Sequence, residues 1–488
     1  MKGSVVALLA LVAGTPAFVG AQSDSAMAAG AAAGPAVRRI STASAVSTEQ
    51  LGSINSVRAL PGGRVLVNDG TRRRLLLMDS TLKTIGVVLD SLTEVVNAYG
   101  TRAGVLIPDR GDSTLWVDPA SYAVLVLDPE AHIARVRSIP RVRDVNWISN
   151  PNGYGWPGVD ARQRLVYRIP AEAGPPAVAP PRGVPWFPQD PDSGFVVSID
   201  FDTRILDTLG SVRTPKEPFI VKRSASGGFS LTNLANPMPV SDDWAVMSDG
   251  TVAFVRWRDY RIEYRAPDGT ITSSPKLPYP WQHLDDEDKQ HLTDSIGAAQ
   301  RKSAMTSYVT AMIRWVNLYK QAYPKNFEVP QGFAPGNGLP RDWKLPQGAK
   351  FPASYIYGCA AGEEPAILAT TQTPSCIPQP VTIPGNTPVM PTMRETSVMP
   401  WQDLPDYRPP FGQGAVRADA DDNLWIRTGT GTRPGAPVVY DVVNRKGELF
   451  DRLQLPPGYT LVGFGPGRVV YLSMRDTRGI HLARIQLR

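Results

Sequence analysis

Short hydrophobic runs separated by Gly- and Asp-containing turns recur along the chain. In the clearest copy, the turn Leu60-Pro61-Gly62-Gly63 is followed by the runs 64–69 and 75–79, then by a second turn and the run 84–88. Glycine adopts the positive φ that tight hairpin turns require, and the runs are rich in β-branched and aliphatic residues. The pattern therefore predicts short antiparallel strands joined by hairpins.

Further copies of this unit begin near residues 111, 248, 420 and 465. A unit of four antiparallel strands is typical of a β-propeller blade. Grouping the runs gives six blades, near 51–92, 95–142, 145–213, 236–280, 404–456 and 459–488. A count of seven stays open, because residues 216–235 also have a β-like pattern.

The last unit ends before a fourth strand, whereas Val37–Val46 has the pattern of a lone strand. We expect this segment to supply the outer strand of the sixth blade, which would close the ring and leave no open edge. The predicted fold is all-β, a six-bladed propeller closed by an N-terminal strand. It occupies residues 37–284 and 404–488.

Two segments interrupt the predicted propeller. A Pro-rich stretch, 170–191, falls between the second and third strands of blade three, and a larger insertion, 285–403, separates blades four and five. The larger insertion opens with acidic residues 285–288 and keeps helical spacing afterwards, which predicts one or two helices within 285–322. Both insertions should emerge on one face, where they either carry function or only cap the tunnel.

The first residues resemble a signal peptide, residues 1–21. Lys2 precedes an apolar run, and a small-x-small site lies before Gln22. Residues 22–36 are expected to be a flexible leader. The signal peptide predicts a periplasmic or secreted protein. Because no other stretch is long enough to span a bilayer, we expect no transmembrane segment, and we also expect a monomer. In that compartment Cys359 and Cys376 are expected to form a disulfide in the insertion.

The overall charge of +6 comes from basic residues scattered along 488 residues, which does not predict nucleic-acid binding. The four histidines are far apart in sequence, and no common catalytic or nucleotide-binding motif is present. The sequence identifies no cofactor. Asp419-x-Asp421-Asp422-Asn423 partly matches a calcium loop, but it lies where a hairpin needs turn residues.

The segments Asp422-Asn423-Leu424-Trp425 and Ser113-Thr114-Leu115-Trp116 combine a turn with an aliphatic–Trp strand. A third, Asp243 to Ala253, repeats the theme. With these segments the chain resembles secreted bacterial six-bladed propellers of the NHL/TolB-like class, many of unassigned function. The resemblance implies architecture over most of 37–284 and 404–488. It implies no residue roles, because propellers include hydrolases, lyases, lactonases and binding proteins.

Acidic residues recur near the ends of the predicted second strands, and two have an arginine beside them: Asp69, Asp118, Asp259 with Arg258, and Asp476 with Arg475. A ring of such residues would bind a polar ligand or a cation such as calcium; alternatively, each Asp caps its own turn. Trp156 and Trp186 are candidates for stacking on a sugar or anchoring a peptide, with core packing as the alternative.

Three roles stay open for this sequence, the last being a structural role with no small ligand. The first is a secreted or periplasmic binding protein that recognises an envelope protein, peptide or glycan through the loop-rich face. The second is a metal-dependent hydrolase, lactonase or lyase with its site at the mouth of the central tunnel.

Overall fold

The computed structural model describes residues 34–40, 43–92, 97–174, 187, 191–223, 228–322, 397–429 and 437–487. Within these ranges the chain forms 28 strands and only three α-helices, so the predicted all-β class is confirmed. Most strands belong to small four-stranded sheets, as in a propeller.

Five four-stranded sheets and one five-stranded sheet follow one another along the described chain. Before them come β1 (Val37–Arg39) and β2 (Ala45–Val46). The first sheet contains β3 (Ile54–Ala59), β4 (Val65–Asp69), β5 (Arg74–Met78) and β6 (Thr84–Leu89). The second contains β7 (Val105–Pro108), β8 (Thr114–Asp118), β9 (Ala123–Leu127) and β10 (Ile133–Ser138). Helices α1 (Val145–Ile148) and α2 (Pro151–Tyr154) precede the third sheet.

The third sheet contains β11 (Gly158–Val159), β12 (Leu165–Pro170), β13 (Ser193–Ile199) and β14 (Leu206–Arg213). A hairpin, β15 (Phe219–Arg223) and β16 (Phe229–Ala235), follows it. The fourth sheet contains β17 (Asp243–Val246), β18 (Val252–Arg256), β19 (Arg261–Arg265) and β20 (Ile271–Ser273). Helix α3 (Asp286–Ala322) and β21 (Ser397–Val398) come next.

The fifth sheet contains β22 (Phe411–Ala418), β23 (Leu424–Thr428), β24 (Val439–Val443) and β25 (Leu449–Gln454). The sixth contains β26 (Tyr459–Gly465), β27 (Val469–Asp476) and β28 (Gly479–Gln486). Among the strands named so far for the six sheets, neighbours are antiparallel and follow one another directly in sequence.

The N-terminal segment differs from the prediction of one strand over Val37–Val46. β1 pairs in parallel with β25 at the outer edge of the fifth sheet, and only β2 pairs with β28, as the fourth strand of the sixth sheet. The Nε of Arg38 donates to a carboxylate oxygen of Asp451 at 2.8 Å, which holds β1 on the fifth sheet. The segment therefore crosses from one sheet to the next.

The hydrophobic core lies between sheets that are neighbours in chain order. Separate clusters join the first and second sheets, the second and third, the third and fourth, the fourth and fifth, and the fifth and sixth. A further cluster joins the sixth sheet to the first, where Val462 and Tyr471 pack with Val57 and Val67. The indoles of Trp116, Trp244 and Trp425 are almost fully buried in three of these clusters.

The turn between β17 and β18 shows why glycine is required at one of its positions. Gly250 has φ +86°, and a Cβ there would lie 2.3 Å from the backbone nitrogen of Ala161 in the third sheet. Only glycine combines this conformation with such a close approach to a neighbouring sheet.

The elements between the sheets form a separate layer. β15 and β16 pair with each other, and β16 also pairs in parallel with β21 of the insertion. Among the described residues, 216–235 therefore belong to a three-stranded sheet with the insertion and do not form a seventh four-stranded sheet. Helix α3 lies where the sequence predicted one or two helices, and the Nζ of Lys289 pairs with Asp406 at 2.6 Å near its start.

None of the helices that are described has the length and apolarity needed to cross a bilayer. Cys359 and Cys376 lie outside the described residues, so their predicted disulfide stays a prediction.

Candidate functional site

A cavity of about 290 Å³ lies where the first strands of the sheets meet. Its wall includes Arg58 of β3, Asp109 after β7, Val246 of β17, Arg417 of β22 and Phe464 of β26. β3 contacts β26 and β7, β11 contacts β7 and β17, and β17 contacts β22, so these first strands lie next to one another about the axis of the cavity. We call this space the tunnel cavity.

The tunnel cavity opens at the end of the axis where first strands finish and second strands begin. The wall residues come from the last parts of β3, β17 and β22 and from the turns that follow β7 and β22. The insertions instead follow a second strand or join one sheet to the next, and antiparallel pairing places those strand ends at the other side. The cavity therefore lies on the face opposite the insertions.

Arg417 is the most unusual residue of the cavity wall. Its guanidinium carbon lies 4.0 Å from the ring centroid of Trp156 and 5.1 Å from that of Phe464. The terminal nitrogens donate to the carbonyl oxygens of Leu461 and Val462, both at 3.3 Å. Among the described residues it has no carboxylate partner, and burial lowers the pKa of Arg417 to about 10, so it stays a cation at neutral pH.

The position of Trp156 is fixed by the turn that precedes it. Gly155 has φ +87°, and a Cβ there would lie 2.4 Å from the indole nitrogen of Trp244. That nitrogen donates to the carbonyl of Tyr154 at 3.1 Å, and the guanidinium of Arg168 donates to the same carbonyl at 3.2 Å. The ring that covers Arg417 therefore stands on a rigid support.

A buried carboxylate anchors the strand that carries Arg417. Asp243, at the start of β17, accepts a hydrogen bond from the backbone N–H of Val416 at 2.8 Å. Burial raises the pKa of Asp243 to about 7, and this shift is opposed by backbone hydrogen bonds from Val416, Trp244 and Ala415 and by the charge of Arg168. The anchor fixes the backbone next to Arg417 and links the fourth and fifth sheets.

A second polar group lines another part of the same cavity. The hydroxyl of Ser56, the Nε of Arg58 and one carboxylate oxygen of Asp109 are buried, and none of these atoms has a hydrogen-bond partner among the described residues. Burial lowers the pKa of Arg58, with partial compensation from the charges of Asp112 and Asp109. Arg110 and the carboxylate of Asp419 also line the cavity, so its wall carries three guanidinium groups and two carboxylates.

The carboxylates predicted from sequence are occupied by local contacts. Asp69 accepts from the backbone N–H groups of Gly52 and Ser53, at 3.1 and 3.0 Å. Asp118 accepts from the N–H of Ala120 at 2.9 Å. These bonds match the alternative in which each Asp holds its own turn or a neighbouring loop.

Asp476 and Asp259 have similar local partners. Asp476 accepts from the backbone N–H of Arg478 at 2.8 Å, and the hydrogen bonds from Arg478 lower the pKa of Asp476. Asp259 lies 3.4 Å from the Nε of Arg261. As far as the described residues go, none of the four carboxylates predicted from sequence lines the tunnel cavity.

The other predicted site residues are divided among different places. Arg258 and Arg475 are exposed, Trp156 lies in the cavity wall, and Trp186 is outside the described residues. The carboxylate of Asp419 accepts from the N–H groups of Asp421 and Asn423 at 2.9 and 2.8 Å, which is turn chemistry.

The sequence patterns did not single out four of the cavity residues, Arg417, Arg58, Asp109 and Ser56. A signal was present in Val57-Arg58-Ala59 and Val416-Arg417-Ala418, where an arginine interrupts an apolar run in a first strand. In a propeller such a position faces the axis, where a charge is costly without a partner.

A larger cavity, of about 660 Å³, lies on the insertion side. Lys216, Asn233 and Arg427 line it, and residues 429 and 437 at its rim flank the segment 430–436, which is outside the described residues. In the part of the chain that the structure describes, no group of three or more His, Cys, Asp or Glu side chains is placed to hold a metal ion.

Comparisons with known proteins give weak likenesses. No family model matches the chain, and no curated protein matches it. Among solved structures, a gluconolactonase from Xanthomonas campestris is 12% identical with a TM-score of 0.31, over 93% of this chain and 98% of its own. Virginiamycin B lyase from Staphylococcus aureus is 8% identical with a TM-score of 0.30, over 90% of this chain and 88% of its own.

A luciferin-regenerating enzyme is 10% identical, with a TM-score of 0.31, over 91% of this chain and 94% of its own. Likenesses of this strength carry no argument about the activity of the chain. The fold rests on its own sheet topology, and the candidate site rests on the geometry of the tunnel cavity.

Proposed function

We propose that the six sheets are the blades of one closed propeller and that the tunnel cavity binds a small, partly apolar organic anion. The closed ring is supported by the hydrophobic cluster between the sixth and first sheets and by the pairing of β2 with β28. A closed ring holds the cavity wall rigidly, which suits a preformed ligand site.

The observation that carries the proposal is the unpaired cation of Arg417. A buried charge is unfavourable unless it is paired or hydrogen-bonded, and here only two long carbonyl contacts and two aromatic rings stabilise it. A ligand carboxylate would supply the missing partner in a planar, two-pronged geometry. Arg58 and Arg110 on the same wall add two positive charges and Asp109 and Asp419 two negative ones, so with Arg417 the wall has a net charge of 3 − 2 = +1.

The cavity also limits the size and polarity of the ligand. A volume of about 290 Å³ corresponds to roughly ten water molecules in the liquid. Leu106, Val246 and Met247 contribute apolar surface beside the arginines. A compact anion with an apolar body therefore fits better than an extended chain or a bare ion.

This proposal retains the binding function predicted from sequence but assigns it to another face. The loop-rich side remains a second candidate for contacts with an envelope protein, peptide or glycan, since the 660 Å³ cavity lies there. We also propose export to the periplasm or beyond, for which the pattern of residues 1–21 is the support.

Isothermal titration with benzoate and with benzamide tests the binding site. Benzoate is small enough to enter the cavity, and benzamide has a similar shape without the charge. We expect benzoate to bind the wild-type protein with a Kd of about 1 mM, the affinity of a ligand with about ten non-hydrogen atoms and modest efficiency. Benzamide should bind at least about tenfold more weakly.

The matched variants are Arg417→Met, which removes the charge but keeps most of the volume, and Arg135→Gln on an exposed outer strand. Arg417→Met should weaken benzoate binding by at least about tenfold, whereas Arg135→Gln should leave it unchanged. Equal affinity of wild type and Arg417→Met for benzoate, or the absence of binding to wild type, would overturn the proposal.

A further inference from the structure

The connections on either side of the large insertion carry exposed aromatic rings. Segments 281–284, before α3, and 406–408, before β22, run antiparallel with His283 opposite Tyr407. Backbone hydrogen bonds of 2.8 and 3.0 Å join the segments on either side of this pair. In such a pair the two side chains lie close together on one side of the backbone. We call segments 281–284 and 406–408 the aromatic ribbon.

Three aromatic side chains of the ribbon contact one another at the surface. The ring centroid of Tyr407 lies 5.1 Å from that of His283 and 6.4 Å from that of Trp281. The planes of Trp281 and Tyr407 are 88° apart. All three residues are exposed, Trp281 by 37% and Tyr407 by 47%. Two nearly perpendicular rings therefore form an open corner.

This corner stands on a rigid base. Trp281 packs against Tyr279 at a centroid distance of 5.3 Å, and Tyr279 packs against Tyr260 at 5.7 Å. Tyr260 is fully buried between the fourth and fifth sheets, and its hydroxyl donates to Asp441 at 2.8 Å. A column of rings thus connects the surface to the core, so the exposed rings need little ordering when a ligand binds.

The exposed rings have free polar atoms. The indole nitrogen of Trp281, the hydroxyl of Tyr407 and the ring nitrogens of His283 make no hydrogen bond to the residues that are described. The indole nitrogen is a donor, whereas a tyrosine hydroxyl and a neutral imidazole both donate and accept. The corner therefore combines apolar ring surface with hydrogen-bonding groups of both kinds.

The charged groups of the ribbon already have partners. The carboxylate of Asp406 pairs with the Nζ of Lys289 at 2.6 Å. The Nε of Arg408 donates to the side-chain oxygen of Gln282 at 3.0 Å. A charged ligand would find no free opposite charge on these residues, so the ribbon favours a neutral one.

We infer that the aromatic ribbon binds a neutral oligosaccharide of β-linked glucose or N-acetylglucosamine units. The equatorial hydroxyls of such units leave C–H groups on the faces of the sugar ring, and these faces pack on Trp and Tyr side chains. Sugar hydroxyls both donate and accept, which matches the polar atoms of Trp281, Tyr407 and His283. A Pro-rich peptide also binds aromatic grooves, but proline has no N–H and offers only acceptors.

Titration of the full chain with cellotetraose and chitotetraose tests the inference, with decaproline as the peptide probe. We expect at least one of the two sugars to bind wild type with a Kd of about 1 mM or lower. Its affinity should be equal in about 0.05 and 0.5 M NaCl, because the sugar has no charge to be screened. Decaproline should not bind.

Two variants connect the binding to the exposed rings. Trp281→Ala and Tyr407→Ala should each weaken the binding of the sugar by at least about tenfold, because Trp and Tyr contribute most where they lie at the centre of an interface. Tyr122→Ala is the matched control, since Tyr122 is 45% exposed at the turn between β8 and β9, and it should bind as wild type does. Circular dichroism and unfolding midpoints would establish that each variant is folded.

The outcomes also separate the ribbon from the tunnel cavity. Excess benzoate should leave the binding of the sugar unchanged, because the ribbon lies on the insertion side. Displacement of the sugar by benzoate would overturn the inference, as would equal affinity of wild type and Trp281→Ala, binding of decaproline alone, or no binding of either sugar to wild type. If benzoate does not bind while the sugar does, the proposed function of the tunnel cavity fails and the inference about the ribbon stands.

Discussion

Replacing Arg417 with methionine should leave the stability of the ligand-free protein almost unchanged, although the side chain lies deep in the tunnel. The pKa of Arg417 is lowered from 12.5 to about 10, which corresponds to a cost of at most about 3 kcal/mol for keeping the charge at neutral pH. Water in the cavity screens part of this cost.

Replacing Arg417 with methionine removes this cost, but it also removes contacts that stabilise the fold. The two hydrogen bonds to the carbonyls of Leu461 and Val462 contribute about 1 kcal/mol each, and the cation–π contact with Trp156 contributes about 1 kcal/mol. The relieved cost of the buried charge and the lost contacts therefore cancel to within about 1 kcal/mol. A residue retained for binding is expected to behave in this way.

Arg452→Met is the matched contrast. Its guanidinium pairs at 3.0 Å with Asp441, which is 2% exposed and also accepts from the hydroxyl of Tyr260 at 2.8 Å. Removing the arginine leaves a buried carboxylate without its cation, which costs about 3–5 kcal/mol. The substitution is chemically identical to that at Arg417, but the expected effects differ severalfold.

Urea unfolding of dialysed wild type and both variants, followed by circular dichroism, measures the difference. If the free energy of unfolding depends equally steeply on urea in all three proteins, Arg417→Met should keep the wild-type midpoint and Arg452→Met should unfold at a clearly lower urea concentration. If Arg417→Met loses as much stability as Arg452→Met, Arg417 is a structural residue, and the reasoning that assigns it to a ligand is refuted.

Two further results are expected from the fold. The pKa of Asp243 in the folded protein is about 7, above the 3.8 of an unperturbed Asp. The folded state therefore favours the protonated form of Asp243, and the stability that this form contributes is present below pH 3.8 and is lost as the pH rises to about 7. Wild type should lose up to about 4 kcal/mol over this range relative to Asp243→Asn, and parallel stability curves in the two proteins would contradict the assignment. Gly250→Ala should lower the free energy of unfolding by about 2 kcal/mol more than Gly269→Ala. Gly269 is the control because it has a similar φ of +91° and a Cβ there would have no neighbour closer than 4.0 Å. Equal unfolding midpoints of the two variants would contradict the close packing at Gly250.

The repeat predicted the sheets well because turn and strand signals are local. Leu60 to Asp69 forms a turn and a strand where the pattern expected them, and the β-like segment 216–235 forms a hairpin outside the six sheets. The N-terminal strand was harder, because the choice between two sheet edges depends on Arg38 and Asp451, which are more than 400 residues apart in the chain.

The candidate site was less accessible to sequence reasoning. The sequence pattern predicted a binding role for carboxylates at strand ends, yet Asp69 and Asp118 accept hydrogen bonds from nearby backbone and hydroxyl groups. The cavity residues come from different sheets, and what distinguishes Arg417 is a missing partner, a property of the folded chain. An arginine within an apolar first strand was the available signal.

A crystal structure with 4-bromobenzoate, using the anomalous signal of bromine, would locate the anion-binding site of the protein. We expect a bromine peak in the tunnel cavity, with the carboxylate within hydrogen-bond distance of Arg417. Density for the compound in the cavity lined by Lys216 and Arg427 on the insertion side, with an empty tunnel cavity, would contradict it.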